Sequence, residues 1–63
     1  MFDFAEQLRL WRKRNNLTRK EAGDALGLSW RTVEGYEQRR HKPHGLVLDG
    51  LRARMEKSEK QAA

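Results

Sequence analysis

The sequence predicts a small all-α domain of four helices. Three observations carry that expectation. Apolar residues recur at spacings of three and four, as in Phe4, Leu8 and Trp11, which is one face of a helix. Helix-starting chemistry recurs as well: Asp3 with Glu6, Thr18 with Glu21, and Ser29 each stand just ahead of a periodic stretch. No segment shows the alternation of apolar and polar residues that a half-buried strand requires.

The first helix is expected from about Phe4 to Arg14. Asn15-Asn16 ends it, because asparagine tolerates the left-handed backbone found at helix C-termini. Thr18 to Glu21 reads T-x-x-E, a full capping box, so the second helix spans about 19–26 with Ala22, Ala25 and Leu26 inward. Gly27 stops it and Leu28 fills the turn. Ser29 caps a third helix of about 30–38, with Val33 and Tyr36 on one face. Arg39 to Gly45 is a polar loop holding the single proline, Pro43. A last helix fits about 46–58. In it Val47, Leu48, Leu51 and Met55 cover about 100° of surface and are expected to close the core. Residues 59–63 carry no apolar stripe and are expected to fray, leaving one domain over 1–58.

Composition narrows the function. A chain of 63 residues, 37% of them apolar, buries only about 60% of the surface that its unfolded form exposes, so the core is small. Without cysteine there is neither a disulfide framework nor a thiolate metal site. His41 and His44 have no carboxylate cluster near them in sequence, so no metal and no cofactor is expected. No run approaches the roughly 18 apolar residues of a membrane span. Asp3 and Glu6 interrupt the N-terminus before a signal peptide could form, so the expected location is cytoplasmic. No nucleophile–base pair or phosphate-cradling loop suggests an enzyme. Charge says more. Fourteen Lys and Arg against nine Asp and Glu give +5 and a pI near 10.3. The basic residues cluster, as Arg12-Lys13-Arg14, Arg19-Lys20, and Arg39, Arg40 with Lys42. A basic, clustered surface points to a polyanion, most simply nucleic acid.

The middle of the chain meets the steric demands of two short helices joined by a tight turn. Gly23 supplies a small residue where the helices touch. Gly27 supplies a turn position that accepts positive φ. Leu26, Leu28, Val33 and Tyr36 supply the apolar lock beneath. At these residues, LTRKEAGDALGLSWRTVEGYEQRRHKP, the chain closely resembles the Cro/C1-type helix-turn-helix family of phage and bacterial repressors. Within that family it looks most like very short phage and plasmid regulators with an R-T-V-x-x-aromatic-Glu helix, some of which accompany anti-CRISPR genes. The resemblance runs from about Phe4 to Pro43, and more loosely from Leu46 to Met55. It implies a lambda-repressor-like fold in which the fifth helix of typical members is missing.

The resemblance implies that the third helix lies in the major groove of double-stranded DNA. With Val33 and Tyr36 buried, helical periodicity turns Trp30, Arg31, Glu34 and Gly35 outward. Arg31 is the first candidate for reading a base, since arginine bonds guanine O6 and N7 bidentately. Glu34 would accept from a cytosine amino group or hold the Arg31 guanidinium. Gly35 would let the helix backbone approach the DNA. Trp30 has two open placements, packing against the last helix or touching a thymine methyl or sugar. Arg19 stands where family members usually carry glutamine, and with Ser29, Arg39, Arg40 and Lys42 it is the candidate contact to the DNA backbone. Arg12 and Glu37 match the family's paired arginine and glutamate, a scaffold element.

On the last helix, Leu46, Gly50 and Ala53 lie on a face of their own and are the candidate dimer contact. The function expected is a sequence-specific, autoregulatory repressor that binds an inverted-repeat operator as a homodimer, with no membrane partner and no small-molecule ligand. The alternative is an antitoxin-like DNA-binding adaptor that also binds a protein.

Overall fold

The computed structural model describes residues 3–58, and the fraying expected of residues 59–63 lies outside that range. Four α-helices follow one another: α1 (Phe4–Arg14), α2 (Arg19–Leu26), α3 (Trp30–Glu37) and α4 (Gly45–Lys57). There is no strand among the described residues.

Each of the first three helices starts on a side chain that replaces a missing intrahelical partner. Asp3 Oδ1 accepts from the Glu6 amide at 3.1 Å. At α2 the box is reciprocal: Thr18 Oγ1 accepts from the Glu21 amide at 3.1 Å, and Glu21 Oε1 accepts from the Thr18 amide at 2.9 Å. Ser29 Oγ accepts from the Thr32 amide at 3.3 Å. His44 precedes α4 without a side-chain cap. The helix ends are equally local in origin. Asn15 is buried, its Nδ2 donating to the Trp11 carbonyl at 2.8 Å, and Asn16 takes φ +58° to turn the chain.

The core is a single cluster. Leu8, Trp11 and Val33 are its largest fully buried side chains, joined by Phe4, Leu26 and Leu51. Each large apolar side chain sealed this way contributes about 1.5–3 kcal/mol. Tyr36 closes one edge by meeting Phe4 edge to face, with centroids 5.8 Å apart and planes at 80°. α2 packs most extensively on α3, α1 packs on α3, and α4 rests chiefly on α2.

That last arrangement corrects the sequence reading of α4. Leu48, Leu51 and Met55 turn inward, but Val47, expected in the core, is 57% exposed. The three inward positions are spaced by three and four and already fill the stripe that faces α2. Val47 sits in the first turn, at the edge of that stripe, and stays outside it.

Candidate nucleic-acid interface

The α2–turn–α3 unit is held at the angle its small residues permit. Gly27 adopts φ +74° and its amide bonds back to the Gly23 carbonyl. This left-handed position is costly for any residue with a Cβ. Gly23 is required for a different reason. A Cβ placed there would overlap the backbone carbonyl oxygen of Leu28, and the Leu28 amide donates to the Gly23 carbonyl at 2.7 Å. Helix and turn touch backbone to backbone, with no flexible side chain available to yield.

Behind α3, four charged side chains form an alternating chain. Glu37 is buried, and its carboxylate accepts from Arg12 Nε at 2.7 Å and Arg12 Nη2 at 3.2 Å. Arg12 also donates to the Leu17 carbonyl at 3.1 Å. On its other side Glu37 accepts from Arg19 Nε at 3.3 Å, and Arg19 Nη1 reaches Glu34 at 3.5 Å. The pair Arg12–Glu37 thus ties α1 to the end of α3. Arg19 extends the tie to the start of α2. Glu34, expected to hold Arg31 or accept from a base, is instead paired with Arg19. The carboxylate's charge is compensated, which removes its objection to a neighbouring phosphate.

Arg31 is exposed and rests its guanidinium over the Trp30 ring, with Cζ 5.4 Å from the ring centroid. Trp30 is 46% exposed. Its ring is therefore not packed into the core beneath α4, one of the two placements left open for it. Ser29 serves as the α3 cap, and its hydroxyl lies 3.0 Å from that of Thr32.

Gly35 requires a correction. Periodicity turned it outward as a bare stretch of backbone, yet the residue is buried. A Cβ on Gly35 would stand 2.7 Å from Cδ2 of His41. The loop after α3 folds back over that position, with the amides of Arg40 and His41 donating to the Gly35 carbonyl at 2.9 and 3.4 Å. Gly35 therefore makes room for an imidazole, and the open backbone expected there is covered.

The same loop divides the basic residues assigned to it. Arg39 adopts φ +62° and donates from Nε and Nη2 to the two carboxylate oxygens of Asp3 at 2.7 and 3.0 Å. The Arg39 side chain, with the Glu6 amide as second donor, holds the Asp3 carboxyl below its ordinary value of 3.8; in turn Asp3 pushes the Arg39 pKa up. Arg39 thus fastens the loop to α1 where it was expected to meet the DNA backbone. Arg40 donates to Gln38 Oε1 at 2.6 Å, and Lys42 is exposed. Among the described residues, no carboxylate forms an ion pair with Arg31, Arg40 or Lys42. No group of His, Asp and Glu among them could hold a metal ion, and no helix is long and apolar enough to cross a membrane.

A family model described as a helix-turn-helix domain matches residues 3–53. The chain belongs to that family. No curated protein and no solved structure matches it. The match starts at the α1 cap and ends within α4, so it covers the α2–turn–α3 unit and the charged tie behind it. For a helix-turn-helix domain the partner class is DNA, and the second helix of the unit is α3.

His41, beside Gly35, is the neighbour of α3 that periodicity missed. His41 reaches the α3 face from a loop, and its only sequence signal was a glycine in mid-helix.

Proposed function

We propose that this helix-turn-helix domain is a sequence-specific transcriptional regulator of the Cro/C1 type, acting as a repressor in the cytoplasm. The observation that carries the reading is the charge pattern around α3. Among the described residues, Arg31 projects from the first turn of α3 with no carboxylate partner, and Arg40 and Lys42 just beyond its end have none either. A cation at the start of the groove-entering helix reads base edges, whereas cations at its far end grip phosphate. Trp30 stacks on Arg31 and presents its own exposed edge to the same groove. Arg19 and Ser29 lie at the N-termini of α2 and α3, the ends that favour an anion.

A homodimer on an inverted repeat completes the reading, with half-sites about one helical turn, roughly 34 Å, apart. Leu46 is 88% exposed at the start of α4, and Gly50 has nothing within 4 Å of where a Cβ would stand. With Ala53 they form a shallow, unobstructed strip suited to a second copy. The R-T-V-x-x-Tyr-Glu sequence of α3 resembles that of short phage and plasmid regulators, some of which accompany anti-CRISPR genes, and this resemblance supports the same reading.

The test is selection of bound duplexes from a random library, followed by titration of variants. Arg31→Ala should remove discrimination between the selected and a random duplex, a loss of about 1–3 kcal/mol per bidentate contact. Arg40→Ala should weaken both duplexes alike and reduce the salt slope by about 0.9 for the phosphate lost. An intact ratio for Arg31→Ala would refute the reading of α3, and a chain that prefers structured RNA over duplex DNA would refute the whole.

A further inference from the structure

The geometry points to His41 as a further DNA contact, seated on the outer face of α3 by Gly35. This rests on the reading of α3 as the helix that enters the groove.

Residues 31 and 35 are one turn apart on a helix and share a face. Arg31 occupies the first of these positions with an exposed side chain. The second has no side chain of its own, and the His41 ring lies where one would begin, 2.7 Å from a Cβ at that point. The imidazole thus stands one turn beyond Arg31 on the same side of the helix.

Its position is built by several constraints. Arg39 is clamped to Asp3 by two hydrogen bonds of 2.7 and 3.0 Å. The Arg39 amide donates to the Tyr36 carbonyl at 3.2 Å and the Arg40 amide to the Gly35 carbonyl at 2.9 Å. Pro43, two residues further on, is buried. His41 itself remains exposed, between two cations, Arg40 and Lys42, that lack an acidic partner among the described residues.

An imidazole N–H in that setting donates to an anionic oxygen. The N-terminal residues of a groove-entering helix meet bases, so a group one turn toward the C-terminus lies nearer the groove wall, where the oxygens belong to phosphate. His41 therefore fixes register and adds affinity without reading sequence. Gly35 acts as the positioning residue. A methyl group there displaces the ring.

Four variants titrated on a selected and on a random duplex test this, with helicity checked by circular dichroism. His41→Ala should weaken both duplexes by about three- to ten-fold, as one hydrogen bond is lost, and leave their ratio unchanged. Gly35→Ala should do the same while keeping its helix, because alanine favours the helix and the displaced ring is an exposed loop side chain. The double variant should bind no more weakly than either single one. Wild-type binding by His41→Ala overturns the proposal. A loss confined to Gly35→Ala also overturns it and makes the helix backbone itself the contact. Multiplied effects in the double variant show that Gly35 does not act through His41. Arg31→Ala in the same series separates the two layers. If it loses discrimination while His41→Ala is silent, only His41 is wrong. If it keeps discrimination, the reading of α3 has failed.

Discussion

Replacing Glu37 with glutamine tests the scaffold behind α3 most directly. The wild-type side chain is 2% exposed, and that of its main partner, Arg12, is 15% exposed. Three hydrogen bonds converge on the carboxylate: 2.7 Å and 3.2 Å from Arg12, and 3.3 Å from Arg19. Glutamine keeps the volume, but turns an NH2 toward at least one of these donors and removes the negative charge. Arg19, with its side chain 39% exposed, is well solvated, and its share of the loss is small. The Arg12 guanidinium is enclosed, and stripping its counter-charge belongs to the class of changes that cost about 3–5 kcal/mol. A chain of 63 residues has a total stability of about 3–9 kcal/mol. Glu37→Gln should therefore remove from about one third to all of that stability, lowering the urea midpoint in proportion by far-UV circular dichroism. Pairing Glu37→Leu with Arg12→Met should restore most of the stability, since the damage comes from an uncompensated charge more than from lost attraction. A cost below about 1 kcal/mol for Glu37→Gln would place the pair among ordinary surface ion pairs and refute the argument.

Two further predictions concern the edges of the domain. The Asp3 carboxyl is held below its ordinary pKa of 3.8 by Arg39 and the Glu6 amide, so its contribution to stability is present above that value and fades as pH falls through the lower, folded one. The melting-temperature gap between wild type and Asp3→Asn, which keeps a competent helix cap, should be open at neutral pH and close in acid; a gap independent of pH would contradict the ion pair. Gly50→Glu should leave helicity unchanged, because nothing lies within 4 Å of the new Cβ, and should convert a sedimenting dimer to a monomer. A monomeric wild type, or a dimer unaffected by the substitution, would remove α4 as the contact.

What the sequence made legible was chemistry that acts within a few residues. The caps at Asp3, Thr18 and Ser29 and the left-handed turn at Gly27 follow from which side chains can bond a nearby amide or accept positive φ. Gly23 was legible because two helices in a tight turn must touch somewhere. The tie between Arg12 and Glu37 spans 25 residues, and only the family resemblance suggested it. What stayed hidden came from outside each helix. Periodicity treats Gly35 as outward because it knows nothing of the loop that returns over it, and that return depends on a positive φ at Arg39, a residue type that gives no such warning. Asp3 read as a cap and Arg39 as a DNA contact. That one carboxylate serves both helix and loop is a fact of tertiary structure, as is Arg19 claiming Glu34 ahead of Arg31.

The two tryptophans end in opposite settings, Trp11 1% exposed in the core and Trp30 46% exposed beside Arg31. Indole emission shifts with the polarity around it, and a soluble quencher reaches only the indole it can touch. The chain therefore carries two intrinsic optical probes that separate by colour and accessibility. Emission from Trp11 follows unfolding of the core, and emission from Trp30 follows whatever covers the start of α3, without a label attached to either partner.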